Sequence, residues 1–315
     1  MNGCMENAIS SYIERQNDVD VVILCYGNYD KLLLTINSVL EQNAHIGKII
    51  LSDDGSGKTF PKEVLNRIAE KTEPIECVVR SNERNIGTVM HMNITAALCS
   101  SKYIKFISPG DTFFNAGSLN QLICFAKRYN TPVVTSRAQV CDQTTGVTYY
   151  IFPQEWRKKL FQQKDRFFEH LCCDNMISAT GSMYRRDFFD VLGGFDSEFI
   201  FLEDWPTWLK ITRAGFEIPC LWDVTCCYDF GGISSKNGNA YVSLDLRRDM
   251  LLCYEKEILP YCEQFKWHMR HSILYRYKRL KGTSSVVLFV RYPIQHAIFM
   301  AKFAIKKLLI LNKKY

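Results

Sequence analysis

The feature that most constrains this chain is a repeated alternation along its first 140 residues. Short runs rich in β-branched and aliphatic residues alternate with segments of helical periodicity. The runs are DVDVVILCY (18–26), KIILS (48–52), IECVV (75–79), YIKFIS (103–108) and PVVTS (132–136), each long enough for one buried strand. Between the first two, Leu32, Leu33, Ile36, Val39 and Leu40 share one side of a helix over Lys31–Glu41, with Asp30 placed to cap it. Pro61 opens a second helix reaching about Lys71; Gly87–Cys99 and Gly117–Tyr129 read as a third and fourth. Strand–helix–strand repeats assemble into a mostly parallel sheet flanked by helices, an α/β fold of Rossmann type. Ligands of such sheets bind beyond the carboxyl ends of the strands.

The pattern loosens over 138–185 and returns to helix, loop and strand over 186–240. A helix from Asp204 to Ala214, closed by Gly215, carries Trp208, Leu209 and Ile211 as core. Beyond Gly238 three helical stretches follow, at about 240–259, 263–281 and 286–311. The expected organisation is a polar N-terminal arm (1–17), an α/β domain (18–240) and a C-terminal helical region (241–315).

Charge divides at the same place. Residues 241–315 hold 15 Lys/Arg against 5 Asp/Glu, whereas residues 1–240 hold 24 against 28. A mildly acidic body with a basic end does not match a uniformly basic nucleic-acid binder. Thirteen cysteines occur, an odd number with no CxxC spacing, and Cys172–Cys173 and Cys226–Cys227 are adjacent pairs. Neither a zinc site nor a disulfide framework is indicated. The first 18 residues lack the apolar run of a secretory signal, so the thiols are expected to stay reduced. The first glycine, Gly3, follows Asn2, which rules out an N-myristoylation signal.

Three acidic positions fall where a ligand of this sheet would lie. SDDGSGKT (52–59) ends like a P-loop, but Ser52 stands where the first glycine belongs, and two carboxylates would repel phosphate. Asp53 and Asp54 either build an Asx turn or accept hydrogen bonds from a nucleobase N–H or ribose hydroxyl. In SPGDTF, Asp111 is a turn residue or, with phosphate oxygens and water, a divalent-cation ligand. Glu203 and Asp204 open a helix, where they cap it or serve as a general base. The first strand is followed by CYGNYD rather than GxGxxG, against a dinucleotide oxidoreductase. The six histidines show no HExxH spacing, and His91 is expected to be structural.

Taken together, the order and spacing of these segments resemble the family 2 glycosyltransferases of the GT-A fold over about residues 18–240. The residues that carry the resemblance are VVILCYGNYDKL, IILSDDGS, Asn85-Ile86-Gly87 and Gly193-Gly194-Phe195-Asp196 followed by Glu203-Asp204, then Trp208-Leu209 and Arg213-Ala214-Gly215-Phe216. The resemblance implies an inverting transfer of a sugar from a nucleotide-diphosphate sugar, a UDP-sugar, to an acceptor hydroxyl. It divides the domain into a nucleotide-binding half (18–112) and an acceptor half (113–240). Tyr26, Asp53 and Asp54 would contact the nucleoside, and Asn85, Gly87 and Gly110 would shape the donor site. Asp111 would hold Mn²⁺ or Mg²⁺, and Asp204, with Glu203 beside it, would be the catalytic base. The implied context is bacterial surface polysaccharide synthesis (capsule, O-antigen or lipooligosaccharide), with a glycan or polyprenyl-linked acceptor.

The chain departs from the family pattern at three places. Ser108-Pro109-Gly110-Asp111 stands for D-x-D-D and keeps one carboxylate. Met92 stands where Arg often precedes Asn93, leaving Arg84 as the substitute phosphate contact. Phe230 replaces a frequent histidine, with Asp229, Ser234 and Ser235 nearby. The competing classes are a non-catalytic scaffold of a glycan-assembly complex and a sugar nucleotidyltransferase. The latter needs a glycine-rich, basic loop after the first strand, which CYGNYDK does not supply.

The last stretch reads as a basic amphipathic helix interrupted at Arg291 and Pro293. Arg291, Gln295, Lys302, Lys306 and Lys313 fall on one side, and Ile294, Ala297, Ala301, Ala304, Ile305 and Leu308 on the other. Such a helix suits the surface of an anionic membrane, here the cytoplasmic face, or else packing on the domain or in a homo-oligomer. Basic residues set apart from the cleft give no reason to expect nucleic acid.

Overall fold

The computed structural model describes residues 18–71, 75–230 and 244–311, with side chains described as far as residue 304. The predicted arm 1–17 and the boundary expected near residue 240 lie outside the described residues. Among the described residues a nine-stranded sheet forms the centre. Its first part follows the expected alternation: β1 (Val19–Cys25), α1 (Leu32–Leu40), β2 (Ile46–Asp53), α2 (Lys62–Ala69), β3 (Glu76–Ser81), α3 (Thr88–Ala96) and β4 (Tyr103–Ile107). These strands lie in the order β3-β2-β1-β4, all parallel. Burial drives this assembly: β1 is buried along almost its whole length, and Leu32, Ile36, Val39 and Leu40 of α1 seal one face. Each such aliphatic side chain contributes about 1.5–3 kcal/mol by leaving water. The cap expected from Asp30 does not form; Lys31 occupies the N-cap position without a side-chain bond, and the Asp30 N–H donates to Asn28 Oδ1.

The second part is mixed, with antiparallel pairs added to the parallel first part, as a GT-A-like α/β sheet allows. It comprises β5 (Thr112–Phe113), α4 (Ser118–Ala126), β6 (Val133–Asp142), β7 (Val147–Phe152), α5 (Lys158–Phe161), α6 (Phe167–Cys173), β8 (Met183–Arg185), α7 (Phe188–Val191), α8 (Asp204–Arg213) and β9 (Cys220–Asp229). The strand read at 132–136 runs on to Asp142 because it has partners along both edges. It pairs antiparallel with β8 and β7 on one edge and parallel with β9 on the other. β8 joins the two halves by pairing antiparallel with β4. Trp208, Leu209 and Ile211 of α8 are buried in the core, as expected.

The C-terminal region divides in two. α9 (Leu244–Cys253), the turns that follow and α10 (Trp267–Leu280) are integral to the domain: Cys253, Tyr254, Ile258, Met269, Ile273 and Tyr277 share one core with Phe195 and Trp208. Beyond them, α11 (Ser285–Arg291) and α12 (Pro293–Leu311) meet the rest through a small cluster of Tyr275, Leu288 and Tyr292. The stretch over 286–311, expected to be interrupted at Arg291 and Pro293, is two helices that part at Tyr292, because Pro293 has no N–H to donate and disfavours a helical residue before it. Arg291 and Lys302 therefore sit on different helices.

Candidate active site

A cleft of about 1310 Å³ opens beyond the carboxyl ends of β1, β2 and β4. Tyr26, Asn28, Lys31, Asp54, Asn85, His91 and Asp111 line it on one side, and Glu203, Asp204, Asn175, Tyr228, Asp229 and Phe230 on another. The strand ends place the first group, as in other open α/β sheets.

The two aspartates after β2 part company. Asp53 is fully buried. Its Oδ1 accepts from Tyr29 Oη (2.8 Å) and Ser56 Oγ (2.7 Å), and its Oδ2 from the Ser56 N–H (2.7 Å). It holds the turn together and does not line the cleft. Asp54 does line it, accepting from Asn82 Nδ2 (2.7 Å) and from the backbone N–H groups of Ile86 (3.0 Å) and Gly87 (3.1 Å). Asp54 thereby folds the Asn85–Gly87 loop against β2. Asn85 Oδ1 also accepts from the Gly87 N–H. Gly87 is required here: its φ is +87°, and a Cβ would stand 2.6 Å from Ile200 Cγ2. Tyr26 is 58% exposed at the mouth. Arg84 is exposed and outside the cleft lining, so the structure does not bring the expected phosphate contact to the site. His91 is buried and lines the cleft, its Nε2 2.6 Å from Ser52 Oγ, which also accepts from Arg80.

Asp111 lies on the cleft floor with its Oδ1 accepting the Asp229 N–H at 2.9 Å; burial pushes its carboxyl up to about 7. Asp229 is engaged at both oxygens, by Lys31 Nζ (2.6 Å) and the Gln143 N–H (3.0 Å). The tight SPGD turn is needed because a Cβ on Gly110 would stand 2.8 Å from the Asp229 carboxylate. Among the described residues no group of three or more His, Cys, Asp or Glu could hold a metal. The carboxylate available is thus that of Asp111. This donor set fits a Mg²⁺-like ion bound through one carboxylate and substrate phosphates, and does not fit an all-protein cage. Phe230 packs on Tyr149 (ring centroids 4.9 Å) where the family often has histidine; Ser234 and Ser235 lie outside the described residues.

The side of the cleft around Glu203 and Asp204 is held by residues that the sequence did not single out. Glu203 and Asp204 stand at the start of α8, and Glu203, at the N-cap, makes no side-chain capping bond. Asp204 Oδ1 accepts from the Trp205 N–H (2.6 Å) and Oδ2 from Asn175 Nδ2 (2.7 Å), while the buried Asn175 Oδ1 has no partner among the described residues. Burial raises both carboxyls, Glu203 to about 8 with repulsion from Asp204 adding to it. The loop before them is pinned by fully buried Asp249 of α9, whose Oδ2 accepts from the N–H groups of Ile200 (2.8 Å), Phe201 (2.7 Å) and Leu202 (3.2 Å). Further back, Asn93 exchanges two hydrogen bonds with the backbone of Phe195. Lys105, fully buried on β4, donates to the carbonyls of Thr180 and Ser182 and fixes the wall beside Asp111.

Basic residues of the C-terminal helices also reach the cleft: Arg276, Arg279 and Lys302 line it. This overturns the premise that the basic region stands apart from the site. Helix spacing turns their side inward once α10 packs on the core.

Solved structures of similar fold include crystal structures of S. aureus TarS. TarS 1–349 in complex with UDP-GlcNAc gives a TM-score of 0.58 at 17% identity, covering 86% of this chain and 75% of that one. TarS 1–349 with UDP gives 0.52 at 14% identity, covering 89% and 88%. A longer TarS chain gives 0.56 at 16% identity; the match covers 86% of this chain but only 45% of that TarS chain. At these identities the likeness is one of fold. No curated protein matches the chain. The model of the family described as Glycosyl transferase family 2 matches residues 20–193, more than half of the sequence. The chain belongs to glycosyl transferase family 2.

Proposed function

We propose that the protein is an inverting glycosyltransferase that moves a sugar from a UDP-sugar to a hydroxyl of a glycan acceptor in cell-surface polysaccharide synthesis. One observation carries this reading: a single cleft holds Asp54, Asp111 and the Glu203–Asp204 pair at the carboxyl ends of the strands. The fold shared with TarS, crystallised with UDP and with UDP-GlcNAc, supports UDP as the nucleotide.

In this reading Tyr26 covers the nucleobase, and Asp54 with the Asn85–Gly87 loop bounds the nucleoside. Asp53 serves by shaping that turn. A divalent cation held by Asp111 and the donor's own diphosphate oxygens supplies charge neutralisation of the leaving group. Asp204 removes the proton from the acceptor hydroxyl as its oxygen bonds to the anomeric carbon. The bond from that carbon to the diphosphate breaks on the opposite face, and UDP departs with the electron pair. Raised carboxyl pKa values at Glu203 and Asp204 suit a base that must hold a proton after attack.

The same reading places the protein at the anionic inner face of a membrane. Val286, Val287, Phe289, Val290, Ile294 and Phe303 of α11 and α12 are exposed, while among the described residues no helix is long and apolar enough to cross a bilayer. The test is a thermal-shift series with UDP-sugars and other nucleotide sugars, with and without Mn²⁺, followed by transfer assays with the stabilising donor. Stabilisation by UDP-sugars with release of UDP is the expected result. Binding without donor turnover would instead favour a non-catalytic scaffold.

A further inference from the structure

The cleft extends past Asp204 to a wall made of two helical stripes. α10 presents Ser272, Tyr275, Arg276 and Arg279, and α12 presents Gln295, Ile298, Phe299 and Lys302. Each set follows the i, i+3, i+4, i+7 spacing of one helix face, so each faces the cleft along two turns. The wall is tied to the catalytic side. Arg276 donates to the Cys173 carbonyl and reaches Asp174 at 3.4 Å, and the next residue, Asn175, holds Asp204. Arg279 lies one turn farther along α10, about 5 Å from Arg276 along the axis. Its guanidinium is stacked on Phe299 at 4.2 Å, which fixes its plane. Among the described residues neither Arg279 nor Lys302 has an ion-pair partner, whereas Arg157, Arg213, Lys256 and Arg276 all do. Two unneutralised cations, one oriented by an aromatic ring, thus line a cavity that Ile298, an exposed apolar residue of α12, also lines.

We propose that Arg279 and Lys302 form an anion subsite at the acceptor end of the cleft, which takes the phosphate of an acceptor carried on a long apolar chain. The proposal deepens the glycosyltransferase reading and rests on it for the word acceptor. Planar guanidinium donors match phosphate oxygens in pairs, and the lysine adds a point charge. The apolar residues beside them, Ile298 and Phe299, suit the start of the chain, and the exposed face of α11–α12 suits the bilayer that holds the rest.

The experiment measures flotation of the full chain with phosphatidylcholine vesicles containing a polyprenyl phosphate. The comparison vesicles contain phosphatidylglycerol to the same surface charge, and inorganic phosphate is added as a soluble competitor. The expected result is a preference for the polyprenyl phosphate, weakened by competing phosphate and reduced about tenfold in Arg279→Gln/Lys302→Gln, the effect of one charge-assisted contact. Arg291→Gln, an exposed charge outside the wall, is expected to weaken both vesicle types alike. Lys302→Gln alone guards against loosening of α12 when the Arg279–Phe299 contact is lost, since Lys302 is exposed; it is expected to show the same selective loss to a smaller degree. Equal affinity of the parent for the two vesicle types, or equal loss on both in the variants, would overturn the subsite. UDP binding by the parent chain is read separately by calorimetry. Its absence would defeat the glycosyltransferase reading whatever the vesicles show.

Discussion

The two ends of the cleft are built by different means. At the donor end, each carboxylate is positioned chiefly by residues close to it in sequence or on adjacent strands. Asp53 is held by Ser56 and Tyr29, Asp54 by Asn82 and the Ile86–Gly87 backbone, and Asp111 by its own SPGD turn together with the Asp229 N–H from the end of β9. At the acceptor end, Asp204 is held by Asn175, which follows α6, and the loop before it by Asp249 of α9. A short turn needs only its own residues to form. The acceptor end needs α6, α9 and α10 already docked. The donor end should therefore tolerate losses elsewhere in the chain, and the acceptor end should not.

The largest expected effect tests the chemistry of that fragile end. Asp204→Asn keeps the shape and removes the base, so transfer should fall about 10³-fold, within the range for a general base. UDP affinity should stay within a factor of two or so of the parent, since the donor end is built independently. Steady-state transfer and calorimetric UDP titration measure the two together; loss of both would break the comparison. Next comes Asp249→Ala. Three N–H groups lose one buried carboxylate, and the molecule should be destabilised by about 3 kcal/mol in urea melts. Transfer under folding conditions should drop while UDP binding persists, although residue 249 touches no substrate.

The same contrast separates what is legible in the sequence from what is not. The strands, the helix faces and the DDGS and SPGD turns are encoded by contiguous residues, and α1, β2 and β4 lie within a residue or two of where periodicity puts them. Tyr26, Asp54, Asn85 and Asp111, named from the resemblance, line the cleft, whereas Asp53 and Arg84, named with them, do not. The Asp53 carboxylate is taken up by Tyr29 and Ser56, partners that the DDGS motif does not announce in full, since Tyr29 lies 24 residues away. Asn175 and Asp249 carry no signal at all: an Asn shortly after two cysteines and an Asp within LRRDM look like any polar surface. Likewise a net positive helical region reads as an appendage, although the burial of Cys253, Tyr254 and Ile273 makes half of it core.

A smaller effect follows from the raised carboxyls. Glu203 binds its proton more tightly when folded than unfolded, so the folded state holds more protons between about pH 4 and the folded value of about 8. Stability must then fall as pH rises through that window, on the order of 1–2 kcal/mol after screening by cleft water. Glu203→Gln should flatten this slope in urea midpoints taken across the range. Transfer should run the other way and rise with pH, because Asp204 must be unprotonated to act. A stability that climbs steadily from pH 4 to 8, unchanged by Glu203→Gln, would mean that Glu203 is not held desolvated.

The smallest effect probes a place where the donor end also relies on a contact distant in sequence. Lys31 reaches across 198 residues to Asp229, the residue whose N–H holds Asp111. If long-range assembly always means fragility, Lys31→Ala should cost several kcal/mol. The pair is about a third exposed on the lysine side, however, and ion pairs of that kind contribute about 1 kcal/mol or less. Asp229 also keeps the Gln143 N–H. The expected result is a urea midpoint close to the parent's, with a loss of a few-fold in UDP affinity that uridine does not share, since only the diphosphate would lie near the ammonium. A large loss of stability would show that sequence distance alone, and not the number of N–H groups converging on a carboxylate, decides which contacts the site depends on.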